Sequence, residues 1–340
     1  MSDPFVSASS TPQVDDSPVQ RDRYGRYMLP SLRDPNGKPV PWTRATTFCK
    51  SVADTFGLMQ WSNRMVAKGV ATRPDLYALA SATDVNDKRT MDKLCEDAKN
   101  AAGATAAASL GTALHSFTEA VDRGEDPEVP LQWRDDIAAY KSLKEEYALD
   151  IPSWAIERII TVEKYGIAGT FDRIIRATKR ISFANSDLVI EPGDWVIGDV
   201  KTGKDLKYGF NEIAIQLALY AHADAIWNGA EGVYEEMPDV RKDVALVVHL
   251  PAGKKRADLY GVDIETGWQG AELCAKVREW RKLRGVASLA DSDKPSWKDL
   301  ILQASSREDL SAVWRKASAA GEWTSELEAL GKGRLQKLGL

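Results

Sequence analysis

The chain is poor in the residues that staple small folds or build sulfur-ligated centres. Its three cysteines, Cys49, Cys95 and Cys274, are scattered through 340 residues, and no CxxC occurs. An odd, widely spaced set argues against a disulfide framework, a zinc knuckle or an iron–sulfur cluster. Free thiols fit a reducing, cytoplasmic setting. VALVVHL is far too short to cross a membrane, and MSDPFVSASSTPQVDDSP has no apolar signal segment. A basic excess is missing too. The formal net charge is −5, which disfavours a long phosphate-tracking surface while leaving room for a local basic groove. The absence of a GxSxG elbow disfavours a Ser/His/Asp hydrolase, and without the GxxxxGK[ST] phosphate loop no ATPase motor is expected.

What is present is an ordinary globular composition, 44% hydrophobic and 28% charged, with length for one large domain or two. Residues 1–22, rich in Ser, Pro and Asp, read as a disordered tail. Tyr24 to Pro41, with RYMLPSL, the turn signal DPNG and KPVPW, reads as an irregular or β-hairpin segment. From Thr43 the spacing of Phe48, Val52, Phe56, Met59 and Trp61 predicts a helix, followed by helices over 73–81, 91–124 and 133–147. The period then changes. ERIITVEKYGIAGTFDRIIRAT predicts a β-hairpin, WVIGDVKTG a strand and NEIAIQLALYAHADAIW a helix. DVALVVHL and ADLYGVDI predict a second hairpin, and ETGWQGAELCAKVREWRKLRG a closing helix. Residues 295–340 predict a small helical bundle with caps at Ser296, Ser306 and Thr324. The fold class is therefore α/β, with a central mixed sheet flanked by helices.

The chemistry starts at GDWVIGDVKTG. In a strand, residues two apart point to one face, so Asp199 and Lys201 project side by side. An acid at a strand end can hold a hard cation, and a lysine beside it can orient water or neutralise a phosphate. Alone, such a pair is more often a solvated ion pair. Asp172, on the preceding hairpin, can converge on Asp199, and two close carboxylates repel unless a cation lies between them. Gln216 and Tyr220 share a helix face, as do His115 and Glu119. The bland alternatives are a satisfied core tyrosine and a histidine at a helix interface.

In order and spacing, GxxxH (Gly111 to His115), Glu157, GTFD ending at Asp172, DVK (Asp199 to Lys201) and QLALY (Gln216 to Tyr220) resemble the RecB-like branch of the PD-(D/E)xK nucleases. Phage and CRISPR-associated exonucleases belong to that branch. The resemblance covers roughly residues 43–284. It implies a restriction-endonuclease-like nuclease domain over 23–290, with an N-terminal helical part (43–150) and a catalytic core (151–284). It implies a metal-dependent DNA exonuclease using Mg²⁺ or Mn²⁺, in phage recombination, replication or repair. Asp172 and Asp199 would be metal ligands, with the Val200 carbonyl and His115 as further ones. Lys201 would position or activate the attacking water, Glu157 would be the early acid with Glu163 as fallback, and Gln216 and Tyr220 would steady the site and contact the DNA backbone. Implied partners are linear DNA ends, single-strand annealing or replication proteins, and a homo-oligomer, with no membrane. Several relatives carry a four-cysteine iron–sulfur cluster, which three scattered cysteines disfavour.

Basic rim candidates for DNA are Arg173, Arg176, Lys204, Lys207, Lys254, Lys255 and Arg256, and Tyr208 and Phe210 are candidates for stacking on a base. The competing readings are a non-catalytic DNA-binding scaffold of the same fold and a structure-specific endonuclease.

Overall fold

The computed structural model describes residues 19–339 apart from 105, 208 and 289–294. Strands β1 (Tyr27–Leu29) and β2 (Val40–Arg44) pair antiparallel as the N-terminal hairpin. Six helices follow: α1 (Ala45–Cys49), α2 (Phe56–Thr72), α3 (Pro74–Ala82), α4 (Lys88–Ala101), α5 (Ala106–Asp122) and α6 (Arg134–Tyr147). Next come β3 (Leu149–Asp150), β4 (Ile156–Val162), β5 (Ile167–Ala177), a short pair β6 (Ile181–Ser182) and β7 (Val189–Ile190), and β8 (Trp195–Lys201). Helix α7 (Phe210–Ala221) leads into β9 (Ala225–Asn228) and β10 (Val233–Glu236). Then β11 (Val244–His249), β12 (Asp258–Asp263) and α8 (Ile264–Trp280) complete the larger of two units, which ends at Lys282.

The central sheet runs β10-β9-β4-β5-β8-β11-β12, with β2 and β3 also paired to β5. It is mixed: β11 lies parallel to β8 and β2 parallel to β5, while the other pairings are antiparallel. One face packs Phe171, Ile174 and Ile197 against Leu217, Leu219 and Tyr220 of α7 and Cys274 of α8. The other packs Ile175, Val196, Val200 and Leu246 against Leu114 of α5 and Ile137, Tyr140 and Leu143 of α6. Helices on both faces explain the near-continuous apolar runs of β8 and β11, because both sides of those strands are buried.

The smaller unit, from Leu283, holds α9 (Trp297–Gln303), α10 (Arg307–Ala319) and α11 (Ser325–Lys337) around Ile301, Leu310, Val313 and Leu327. Ser296, Ser306 and Thr324 cap them as the sequence suggests, the first two as full capping boxes with Asp299 and Asp309.

Several expectations are corrected. The tail expected over 1–22 is structured from its last four residues: Val19 is buried, and Arg21 bridges to Tyr27 with its guanidinium 3.3 Å from the ring centroid. Residues 1–18 lie outside the described residues. The helix expected from Thr43 splits, because β2 runs to Arg44 and the chain turns again after Cys49; Phe56 and Met59 are exposed, and α2 packs instead on α4. The alanine-rich helix is two helices, α4 and α5. The helix expected to reach Trp227 stops at Ala221, since Ile226 and Trp227 pair with Ile160 and Ile159 at the sheet edge. The part expected to be helical, 43–150, contributes β2 and β3 to the sheet.

Candidate functional site

The site forms where β4, β5 and β8 meet. Arg173 pairs with Gly198 at the end of the β5–β8 ladder, so Asp172 and Asp199 are the next residues on their strands, and the Asp172 carboxylate acts on that of Asp199. On the other side, Ile156 pairs with Arg173 and Arg158 with Phe171, so Glu157 falls opposite Asp172. Opposed residues in an antiparallel pair stand closest of all cross-strand neighbours. Here the regular alternation slips: Phe171 and Ile174 join the same core cluster although three apart. Glu157, facing the slip, adopts a left-handed backbone with φ of 51°. Such a conformation costs a non-glycine residue on the order of 1 kcal/mol or more and concentrates at functional sites.

Lys201 turns back onto Asp199, donating to Oδ1 at 2.9 Å, with Oδ2 2.8 Å from the same ammonium but outside hydrogen-bond alignment. The Val200 amide donates to Asp172 Oδ2 at 2.9 Å. His115 Nδ1 lies 3.6 Å from that oxygen, brought there by α5. The GxxxH spacing has a structural reason. A Cβ on Gly111 would stand 2.8 Å from Thr202 Oγ1, so glycine lets α5 approach the segment after β8 and delivers His115 one turn later. Glycine at 169 serves Tyr220 in the same way: a Cβ there would meet the tyrosine ring at 2.7 Å and Ala45 at 2.9 Å.

Burial governs the electrostatics. Asp199 is 2% exposed, and burial together with neighbouring Asp172 pushes its carboxyl up to about 7 against the pull of Lys201. Burial, reinforced by Asp172 and Glu119, pushes Glu157 up to about 9. Burial also acts to raise Asp172, but His115, Lys201, Arg173 and the Val200 amide outweigh it and hold that carboxyl below its ordinary value. For Lys201, desolvation is overcome by Asp199 and Asp172, which raise its pKa and keep it an ammonium. Burial lowers His115 despite Asp172, favouring neutral imidazole.

The structure thus gathers Asp172, Asp199, Lys201, Glu157 and His115. Glu163 lies at the far end of β4, about 20 Å along the strand from Glu157 at the usual rise, where it meets Ser31 and Arg33. Val200 engages the site through its backbone, its amide donating to Asp172 and its carbonyl acting to raise His115. Gln216 donates to the Tyr220 hydroxyl at 2.8 Å, but Tyr220 is 2% exposed and packs beneath β5, so it steadies the strand instead of facing solvent. Arg173 requires the plainest correction. Expected on a DNA rim, it is 1% exposed, donating through Nε to Asp122 at 2.5 Å and through Nη2 to Thr118 at 2.8 Å. The slip in alternation turns it inward, toward α5. Phe210 packs on Tyr260 with ring centroids 5.2 Å apart, and Tyr208 lies outside the described residues. Arg176, Lys204, Lys207, Lys254, Lys255 and Arg256 are all exposed.

Sequence reasoning missed the support behind the site. Asp122 accepts from Arg173, from the Tyr140 hydroxyl at 2.7 Å and from Lys144 at 2.5 Å. Its signal was available: Leu114, Thr118 and Asp122 recur every four residues along one buried helix face.

Among the described residues, no group of three or more His, Cys, Asp or Glu side chains is arranged as a ready cation cage. The donor set nonetheless fits a hard divalent ion. Two carboxylates lie near enough to repel, burial and that repulsion push one of them up to about 7, and its Oδ2 has no hydrogen-bond donor. Oxygen-only ligands of this charge suit Mg²⁺ or Mn²⁺. No protein-family model matches the chain, and no curated protein sequence matches it.

Proposed function

We propose that the chain is a Mg²⁺- or Mn²⁺-dependent deoxyribonuclease, with a restriction-endonuclease-like core of the RecB-like branch, hydrolysing phosphodiester bonds from DNA ends. One observation carries the reading: residues from four separate segments, His115, Glu157, Asp172 and the Asp199–Lys201 pair, converge where three strands meet. A solvated ion pair would need none of the others.

Asp172 and Asp199 would hold the ion, with His115 beside Asp172. The ion supplies Lewis acidity and neutralises the charge that builds on the phosphate. The remaining work falls to the chain. Lys201, an ammonium, donates to a phosphate oxygen or orients the attacking water. Burial and the neighbouring carboxylates raise Glu157, which favours a protonated carboxyl able to donate a hydrogen bond until a cation lowers it. Gln216 and Tyr220 hold β5 in register beneath Asp172. The preference for ends, and a role in phage recombination, replication or repair, rest on the sequence resemblance.

The test is digestion of end-labelled single- and double-stranded linear DNA and of closed circular duplex, with Mg²⁺, Mn²⁺ or chelator. The expected result is metal-dependent loss of linear DNA, sparing of the circle, and a fall of at least about a thousandfold in Lys201→Ala with the melting temperature held. Cutting of the circle would make the enzyme an endonuclease. DNA binding without any metal-dependent product would leave a scaffold of the same fold.

A further inference from the structure

One buried carboxylate has no part in the chemistry above. Asp136, in the first turn of α6, is 0% exposed, yet it makes no side-chain ion pair among the described residues. It accepts instead from two backbone amides of the turn between β11 and β12: Gly253 at 3.1 Å and Lys255 at 2.7 Å. Charge-assisted bonds of this kind are among the strongest available to a turn.

The turn they hold is unusual. Gly253 and Lys255 both occupy the left-handed region, with φ of 72° and 56°. Glycine at 253 takes that conformation freely. Lysine at 255 does so under strain, where a second glycine or an asparagine would relieve it. A side chain kept at a strained position points to a use for that side chain. The turn reads PAGKKRA, and Lys254, Lys255 and Arg256 are consecutive and exposed.

Its place in the fold says what the cations face. β11 runs parallel to β8 with His249 beside Lys201. The Leu250 amide donates to the Lys201 carbonyl at 2.8 Å and the Ala252 amide to the Thr202 carbonyl at 3.2 Å. The turn is therefore stitched to the backbone of the site lysine and leaves the sheet at the same end as Asp199. His249 Nε2, 2.7 Å from the Gly203 carbonyl, ties in the loop that carries Lys204. The opposing charges are Asp136 beneath the turn, Asp135, which pairs with Lys255 at 2.8 Å, and Asp258, which pairs with Arg256 at 3.5 Å. Lys254 forms no ion pair among the described residues.

We infer that the β11–β12 turn grips the phosphate backbone of DNA, and that Asp136 is the positioning residue holding its cations beside the site. The inference rests on the nuclease reading for its substrate and extends it to named contacts. Exposed ion pairs such as Lys255–Asp135 exchange readily for phosphate.

The test is binding of fluorescently labelled single- and double-stranded DNA by the full chain in chelator, measured by anisotropy from 50 to 300 mM salt as a range of about sixfold. Lys254→Ala/Arg256→Ala should weaken binding roughly tenfold and lower the slope of log affinity on log salt by about 2, near 1 per phosphate contact. Asp136→Asn should weaken binding in the same direction. Lys255→Gly should do so while leaving the melting temperature unchanged or higher, a combination that a merely structural turn does not produce. In digestion, the loss should appear in KM. If the double variant and Lys255→Gly bind with wild-type affinity and salt slope, the inference is overturned, even where wild-type digestion upholds the nuclease. If wild type binds and the turn variants fail, but no cleavage occurs, the turn stands and the nuclease reading falls. If wild type does not bind DNA, both fall.

Discussion

At the scale of single residues, the site is a set of conflicts held in place by burial. Burial and neighbouring Asp172 push the Asp199 carboxyl up to about 7, far above an ordinary aspartate. The sign of its effect on stability follows. The folded state holds the proton more tightly than the unfolded chain, so Asp199's contribution is full below about pH 4 and is lost as pH rises through 7. In chelator, the wild-type melting temperature should therefore fall relative to Asp199→Asn between pH 5 and 8. Divalent ion should restore it more at pH 8 than at pH 6, because protons compete. A difference independent of pH would mean that the carboxyl is not so perturbed. Glu157 offers a second test. Asparagine tolerates φ of 51° better than glutamate does. Glu157→Asn should raise stability by about 0.5–1 kcal/mol in urea denaturation while lowering cleavage, the trade expected of a strained functional position.

The acid–lysine pair was legible because strand periodicity alone sets Asp199 and Lys201 on one face. Arg173 was not legible. Regular alternation would place it away from α5's polar face, and only the slip at Asp172 turns it onto Asp122. One sequence carries no mark of such a slip, since Glu157 in the left-handed region looks like any strand glutamate.

At the scale of elements, two glycines decide how closely the parts meet. Gly169→Ala would drive a methyl into Tyr220 and Ala45, both held by core packing. It should cost about 1–3 kcal/mol, as overpacking of a close-packed core does, and calorimetry or urea titration would show it. An unchanged midpoint would mean that β5 and α7 are less tightly apposed. The strands β4, β5, β8, β11 and β12 were readable because their apolar runs are long or alternate cleanly. β9 and β10 were not. Ala225–Asn228 has a helix-compatible spacing that edge pairing with β4 overrides, and VYEE gains its strand character only from β9. The break within 91–124 was hidden in the same way, since alanine favours helix on either side of it.

At the scale of the whole molecule, the chain divides into a sheet-bearing unit and a three-helix unit with its own apolar cluster. The capping residues announced the second unit: Ser296 and Ser306 are each followed three residues later by an aspartate that completes a capping box. Removing residues 289–340 should leave the sheet unit folded, with its far-ultraviolet circular dichroism and a cooperative melt. Loss of that melt would show that the two units are not independent. The N-terminal hairpin differs. Thr43 and Arg44 pair with Ile167 and Ala168 of β5, so truncation past β2 should unfold the sheet unit.

The most direct measurement is calorimetric titration of Mn²⁺ into wild type, Asp172→Asn and Asp199→Asn at pH 8 without DNA. If the two aspartates jointly grip the ion, wild type binds it and each variant binds at least about tenfold more weakly, roughly 1.4 kcal/mol. Equal binding by all three, or no heat from wild type, would contradict the idea that this pair of carboxylates is a metal site.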